Sequence, residues 1–152
     1  MKSRISIFAG VLLLSAAAVL SVEEQETRAE MFKRQHIFLT MKNDSCNGMI
    51  KKRKINTKGT PCKASNTFIK ATWEAVKDVC GTGGKPTGPN RHSIKPFDVV
   101  ECIQEYPNAV ANNCRYKGTL YTNKNITITC EGGDPVHYVG ISNKNSLMIS
   151  SA

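Results

Sequence analysis

The chain has 152 residues, with 21 Lys and Arg against 12 Asp and Glu, and a formal net charge of +9 at neutral pH. An excess of positive charge on this scale favours polyanionic partners, among them nucleic acid, heparan-type glycans and bacterial surfaces. A chain of this length predicts one domain with a modest core, and the absence of an internal repeat excludes solenoid and propeller architectures.

Residues 1–22 have the pattern of a secretory signal peptide. Lys2 and Arg4 precede an apolar run over residues 5–20, and small residues at positions 16–18 and 21 offer several cleavage positions. The run is short for a bilayer core of about 30 Å, so a membrane-spanning helix is the weaker interpretation. Removal of this segment takes two of the 21 basic residues and none of the 12 acidic ones, which lowers the net charge from +9 to +7. The mature protein is therefore expected to be secreted and extracellular.

The next segment, residues 23–30, is acidic and polar, and we expect a disordered or processed tail before a domain that spans residues 31–152. From residue 29 to about residue 41, Phe32, His36 and Leu39 recur at helical spacing. This pattern predicts an amphipathic first helix that places His36 at the edge of the core.

Later segments predict a change from helices to strands. Residues 70–80 predict a short helix that Thr72 caps, with Trp73 facing the core. Before it, Thr67-Phe68-Ile69 predicts a strand whose side chains alternate between the core and an open face. Residues 81–93 are rich in glycine and proline and predict a loop with exposed cationic side chains at Lys85, Arg91 and His92.

The second half of the chain predicts four strands, because β-branched and aromatic runs alternate with turn residues. The runs are residues 97–103, 114–123, 126–130 and 136–141, and the clearest reversals are residues 123–125 and 132–135. Three helices in the first half followed by an antiparallel sheet make an α+β domain.

All six cysteines lie after the signal segment, and an even number in a small exported domain predicts three disulfides. They are Cys46, Cys62, Cys80, Cys102, Cys114 and Cys130. Sequence spacing leaves every connectivity open. The alternative of a zinc site is weaker, because the chain has no C-x-x-C pair.

Two histidines and a lysine occur in contexts that suit phosphoryl-transfer chemistry. They lie in R-Q-H (Arg34–His36), in C-K-x-x-N-T-F (Cys62–Phe68) and in P-V-H (Pro135–His137). Two imidazoles that titrate near neutral pH can hold opposite protonation states on either side of a phosphodiester, and a lysine can stabilise the charge that develops on it. Taken alone, each of these residues is more often an ordinary packed or surface residue than a catalytic one, so the prediction rests on the three together.

With these motifs, residues 32–141 resemble the pancreatic ribonuclease (ribonuclease A) superfamily. The run C-N-G-M-I-K-K-R-K before C-K-x-x-N-T-F, together with six cysteines, resembles its angiogenin branch. The resemblance implies a monomer with three short helices packed on a bent antiparallel sheet. It also implies the disulfides Cys46–Cys102, Cys62–Cys114 and Cys80–Cys130.

The resemblance implies a secreted endoribonuclease that cleaves single-stranded RNA 3′ of pyrimidines without a metal or cofactor. In that family pattern His36 is the general base, His137 the general acid, and Lys63 stabilises the transition state. Cleavage passes through a 2′,3′-cyclic phosphate and requires the ribose 2′-hydroxyl, which excludes DNA.

Substrate-binding roles also follow from the resemblance. Gln35 and the backbone amide of Tyr138 are expected near the phosphate, and the hydroxyl of Thr67 is expected to select pyrimidines because it can both donate and accept a hydrogen bond.

Two positions depart from the family pattern. Val139 stands where the family usually has an aspartate that orients the acid histidine, so we expect slower catalysis. Gly140 matches the position at which angiogenins carry a glutamine that obstructs the pyrimidine pocket, so we expect a more open pocket unless residues 144–152 cover it.

The basic run predicts functions beyond RNA cleavage. Lys51, Lys52, Arg53 and Lys54 match the angiogenin segment for entry into the nucleus and nucleolus, and such a run also suits polyanions. The alternatives are therefore an antimicrobial protein that acts on bacterial surfaces without cleaving RNA, and an angiogenic signal that binds a cell-surface receptor. Asn43 and Asn125 begin sequons for N-glycosylation.

Overall fold

The computed structural model describes residues 24–110 and 113–142, and within them the chain forms three α-helices and seven strands. The helices are α1 (Arg28–His36), α2 (Cys46–Lys52) and α3 (Trp73–Lys77), the last of which continues as a 3₁₀ turn, Asp78–Cys80. The strands are β1 (Ser65–Ile69), β2 (Gly84–Thr87), β3 (Asn90–Ser93), β4 (Phe97–Gln104), β5 (Tyr116–Lys124), β6 (Ile126–Glu131) and β7 (Asp134–Ile141). The predicted α+β class is confirmed.

The strands form two antiparallel sheets, one in the order β1-β4-β5 and one in the order β2-β3-β6-β7. Helix α1 packs against β1 of the first sheet and β7 of the second. Two clusters of buried side chains form the core, one that contains Phe32, Ile69 and Ile126 and one that contains Met41, Ile50 and Phe68. Because α1 contacts both sheets, it brings residues of β1 and β7 to a common site.

Helix α1 begins inside the segment that we predicted to be a tail. The Thr27 hydroxyl accepts from the Glu30 amide at 3.1 Å, and the Glu30 carboxylate accepts from the Thr27 amide at 3.2 Å. This reciprocal pair is a capping box, which satisfies amides that a helix start leaves free. Glu26 also contributes, because its carboxylate accepts from the Arg34 guanidinium at 2.8 Å.

The predicted continuation of this helix to residue 41 is wrong. Ile37 has an extended backbone and bridges to Ile69 of β1, and the Phe38 amide donates to the Ile69 carbonyl at 3.1 Å. Leu39, which the helical spacing placed on the buried face, is 55% exposed. Pairing with β1 therefore ends the helix directly after His36.

The predicted alternation of β1 is also wrong, because all four residues from Asn66 to Ile69 are buried. Phe68 packs in one hydrophobic cluster and Ile69 in the other, so the core covers both faces of the strand. A strand that is covered on both faces does not show the alternation of buried and exposed side chains that is typical of a half-buried strand.

Residues 81–93 form a hairpin, β2 and β3, rather than the predicted loop. Gly88, with a φ of 57°, lies in its turn. Arg91 is half-buried rather than exposed: its guanidinium donates to the carbonyls of Val79, Gly81 and Gly84 at 2.6 to 3.2 Å. This side chain holds the hairpin against the 3₁₀ turn.

His92 is half-buried as well, with Nδ1 2.8 Å from the Ser142 hydroxyl and 3.4 Å from the Thr127 hydroxyl. Its predicted surface position is wrong. The side chain of Lys85 is exposed, as predicted.

The other predicted elements agree closely with the structure. Thr72 caps α3 by accepting from the Ala75 amide at 3.2 Å, and Trp73 packs partly buried against the core. The four strands of the second half lie within three residues of their predicted bounds. The last reversal is made by Gly132 and Gly133, both with positive φ, while Asp134 and Pro135 belong to β7.

Three disulfides join the elements: Cys46–Cys102, Cys62–Cys114 and Cys80–Cys130. This is the pairing that the resemblance implies. The first joins α2 to β4, and the last joins the 3₁₀ turn to β6.

The predicted signal peptide and the C-terminal segment 144–152 lie outside the described residues. None of the helices within residues 24–110 and 113–142 is both long enough and apolar enough to span a bilayer.

Candidate active site

His36, the last residue of α1, is 7% exposed. Its ring lies 5.0 Å from the Phe32 ring and 5.5 Å from the Tyr138 ring, measured between centroids. Its Nδ1 is 2.7 Å from the carbonyl oxygen of Thr67 in β1. Because a carbonyl oxygen only accepts, Nδ1 carries the proton and donates it, which leaves a lone pair on Nε2 of the neutral ring.

Burial lowers the pKa of His36 from 6.5 to about 4, against the opposing effect of the hydrogen bond to Thr67. The positive charges of Lys63 and His137 lower this pKa further. At neutral pH His36 is therefore unprotonated and able to accept a proton. The ring of Tyr138, the residue after His137, lies 5.5 Å from the His36 ring, which places His137 in the same region of the structure.

His137 reaches the same site from β7, where it pairs with Thr129. The register between β6 and β7 shifts on both sides of His137, so that Val136 and Val139 are additional residues of two β-bulges. Bulges bend a strand and change the direction of nearby side chains. The side chain of His137 is exposed, which leaves it open to a ligand.

Lys63 is held at the site through a buried amide, that of Asn66, which is 2% exposed. Lys63 Nζ donates to Asn66 Oδ1 at 2.9 Å, and Asn66 Nδ2 donates to the Gln35 carbonyl at 2.8 Å. Burial and then the charge of Arg34 lower the pKa of Lys63. One side chain thus connects the lysine of the C-K-x-x-N-T-F motif to the end of α1.

The backbone of Lys63 is also fixed. Its amide donates to Asn56 Oδ1 at 2.8 Å, and its carbonyl accepts from the Tyr116 hydroxyl at 2.6 Å. The roles of Asn56, Asn66 and Tyr116 were not predicted from the sequence. Asn66 carried a usable signal, because it is a polar residue at the start of an apolar strand inside the motif.

Thr67 and Tyr138 lie together beside His36. Thr67 is 6% exposed and pairs with Glu101 of β4. Burial raises the pKa of Tyr138 to about 12, a hydrogen bond with the Thr67 side chain opposes this rise, and the charge of Glu101 adds to it. The Tyr138 hydroxyl therefore lies near the Thr67 side chain, at the position where we expect the base to be recognised.

The basic run does not belong to this site, and its four residues do not act alike. Arg53 is half-buried: its guanidinium donates to the carbonyls of Lys33, Arg34 and Ile37 at 3.2 to 3.4 Å and stacks over Phe38. In return, the Arg34 guanidinium donates to the carbonyls of Arg53 and Lys54 at 3.0 Å. Arg53 therefore joins α2 to the end of α1, and the exposed cations of the run are Lys51, Lys52 and Lys54.

The position two residues after His137 carries no carboxylate. Val139 is 49% exposed, and Asp134, the acidic residue closest to His137 in sequence, pairs with Lys77 at 3.3 Å. A Cβ atom added at Gly140 would meet nothing within 4 Å. The space beside Gly140 is thus open with respect to the described residues.

The two glycosylation candidates differ in their surroundings. Asn43 is exposed. Asn125 Nδ2 donates to the carbonyls of Ser93 and Ile94 at 2.8 and 3.2 Å. Since a glycan replaces one hydrogen of this amide, its attachment to Asn125 would cost a hydrogen bond.

The buried neutral state of His36 predicts a specific loss of stability in acid. The folded pKa of about 4 lies below the ordinary value of 6.5, so the unfolded chain binds a proton that the folded chain excludes. The contribution is fully present above pH 6.5 and is lost as the pH falls through 4. Urea unfolding of the wild type and of His36→Gln should show that the wild type loses about 3 kcal/mol more between pH 7 and pH 4. Carboxylates common to both proteins cancel in this difference, and equal losses would contradict the burial of a neutral His36.

Comparison with known proteins agrees with this architecture. The family model described as pancreatic ribonuclease matches residues 27–141. A ribonuclease from Chelonia mydas is 37% identical over 119 residues, which cover 74% of this chain and 97% of the turtle protein. Angiogenin-4 from Mus musculus is 33% identical over 134 residues, which cover 84% of this chain and 88% of the mouse protein.

Solved structures give the same result. Zebrafish RNase5 superposes with a TM-score of 0.69 at 38% identity and covers 74% of this chain and 92% of its own. Green turtle egg white ribonuclease superposes with a TM-score of 0.70 at 33% identity and covers 77% of this chain and all of its own. The chain therefore belongs to the pancreatic ribonuclease family and is a pancreatic-type endoribonuclease.

Proposed function

We propose that this chain cleaves single-stranded RNA on the 3′ side of pyrimidines by acid–base catalysis that needs no metal. The observation that carries the proposal is the state of His36: buried, with Nδ1 donating to the Thr67 carbonyl and Nε2 left to accept a proton. Its low pKa keeps the ring neutral. A bound phosphodiester would raise this pKa towards neutrality, because a negative charge favours the protonated imidazole.

In the first step His36 Nε2 takes the proton of the ribose 2′-hydroxyl, and the 2′-oxygen forms a bond to phosphorus. The bond from phosphorus to the 5′-oxygen breaks, and His137 gives that oxygen a proton. The products are a 2′,3′-cyclic phosphate and a free 5′-hydroxyl. When water opens the cyclic phosphate, the two histidines exchange roles.

The remaining residues bind and orient the substrate. Lys63, which Asn66 holds beside the end of α1, supplies positive charge to the non-bridging phosphoryl oxygens. Gln35 and the Tyr138 amide bind the phosphate, and Thr67 donates to or accepts from the pyrimidine ring. The family relationship supports export of the protein, in keeping with the predicted signal peptide.

The proposal is tested by incubating the mature protein with single-stranded RNA in the presence of a chelator. Cleavage is expected 3′ of pyrimidines, and His36→Ala and His137→Ala should each lower kcat/KM by about 100- to 10,000-fold. His92→Ala is the matched control, because the Nδ1 atom of His92 bonds to the hydroxyls of Ser142 and Thr127 and not to a proposed catalytic residue. Undiminished cleavage by either site variant would refute the mechanism.

The exposed lysines support a second candidate function. Lys51 and Lys52 lie at the end of α2, and Lys54 follows shortly after it; all three are exposed. They can bind anionic bacterial surfaces, or a cell-surface receptor as the first step of nuclear uptake. The His137→Ala protein also separates these functions from catalysis. If it kills bacteria or enters cells as well as the wild type does, those activities use the lysines and not RNA cleavage.

Because Val139 provides no carboxylate, we expect kcat to be lower than it would be with an aspartate at this position. An aspartate two residues after His137 can accept a hydrogen bond from the imidazole and fix its tautomer and orientation. Val139→Asp should therefore raise kcat on a pyrimidine-containing dinucleotide by about tenfold. The neutral Val139→Asn protein is the matched control, and it should gain less than the aspartate variant. Unchanged turnover in Val139→Asp would contradict this explanation.

A further inference from the structure

A cavity of about 450 Å³ lies on the side of the Lys63 backbone where Asn56 is found. Its charged lining residues are all basic, and they come from α2, from the loop that follows it and from the residue before β5. The polar lining consists of Asn47, Lys51, Lys54, Asn56, Lys58 and Arg115. This volume lies within the range of small-ligand sites.

The positive charge of this cavity is not compensated within the described part of the chain. None of the three ion pairs formed there involves Lys51, Lys54, Lys58 or Arg115. Four like charges around one concavity repel each other, and a ligand with several negative charges would relieve that repulsion. A single carboxylate or a neutral ligand would not.

The donor set favours phosphate. Arg115 provides a planar fork for two phosphate oxygens, and the lysines provide point charges that adapt to the others. Asn47 Oδ1 already accepts from the Tyr116 amide at 2.8 Å, so its amide group has its N–H bonds left to donate. The cavity thus offers donors and no carboxylate, as an anion site requires.

Asn56 connects the cavity to the candidate active site. Its side chain lines the cavity, its Oδ1 accepts from the Lys63 amide at 2.8 Å, and its Nδ2 donates to the Tyr116 hydroxyl at 3.1 Å. That hydroxyl in turn donates to the Lys63 carbonyl. A ligand that contacts Asn56 therefore acts on both backbone hydrogen bonds of Lys63.

We propose that this cavity binds a small ligand with adjacent phosphate groups, such as a nucleoside polyphosphate, and that its occupancy is sensed at the Lys63 backbone through Asn56. The site is separate from the His36 and Lys63 side chains, and the proposal stands whether or not the chain cleaves RNA. The size of the cavity favours a compact phosphorylated molecule over a long polymer.

The test is an NMR and calorimetric titration of the mature protein with inorganic triphosphate and, separately, with ATP in chelator. We expect saturable shifts of the Asn47, Asn56 and Arg115 signals and of the Lys63 amide. Similar affinities for the two probes would identify the phosphates as the recognised group, and tighter binding of ATP would identify a nucleotide site. Both results support the proposal.

The decisive variant is Lys54→Gln/Lys58→Gln/Arg115→Gln. It should weaken triphosphate binding by at least about tenfold, because three charge-assisted contacts are lost. The control, Lys42→Gln/Lys85→Gln/Lys95→Gln, removes the same charge from exposed positions outside the cavity lining and should weaken it by less than about threefold.

Three results would overturn the proposal. Equal losses in the two triple variants would show non-specific attraction to a basic protein. Shifts confined to the surroundings of His36 would assign the anion to the candidate active site. Tighter binding of a heparin oligosaccharide than of either phosphate probe, with the same shifts, would assign the cavity to sulfated glycans.

Discussion

The hydrogen bond from His36 Nδ1 to the Thr67 carbonyl is the interaction on which the site depends. It joins the end of α1 to the middle of β1 across 31 positions of sequence. The same bond fixes the tautomer of the ring, and the burial that surrounds it keeps the ring neutral. A structural contact between a helix and a strand thus also prepares a proton acceptor.

Several neighbouring contacts support this arrangement. Asn66 ties Lys63 to the Gln35 carbonyl, one residue before His36, and the Arg53 guanidinium donates to two further carbonyls at the end of α1. Helix α1 packs on β7 as well as on β1, so the strand that carries His137 is held beside the same helix end. The site is therefore assembled at the end of one short helix, and substitutions there should affect stability and activity together.

Much of the fold could be predicted because the signals were local. Thr72 caps a helix whose apolar residues follow directly, and the strands of the second half have β-branched runs bounded by Asn and Gly turns. The motifs around His36, Lys63 and His137 carried the resemblance to the family. The features that the sequence did not predict depend on partners elsewhere in the chain. Helix α1 ends where Ile37 pairs with Ile69 of β1, and Arg91 binds carbonyls that hold the β2–β3 hairpin in place. The Tyr116 hydroxyl bonds to Lys63 across 53 positions of sequence. Arg53 is a further example: the sequence places it in an exposed basic run, but in the structure it is half-buried and bonds to the end of α1.

Proton transfer at the candidate site requires that His36 is a neutral, buried imidazole with its proton on Nδ1. A nitrogen-15 NMR titration of the histidine side chains measures both properties directly in the free protein. We predict a pKa for His36 of about 4 and the Nδ1–H tautomer at neutral pH. A pKa near the ordinary 6.5, or a ring protonated on Nε2 in its neutral form, would contradict it.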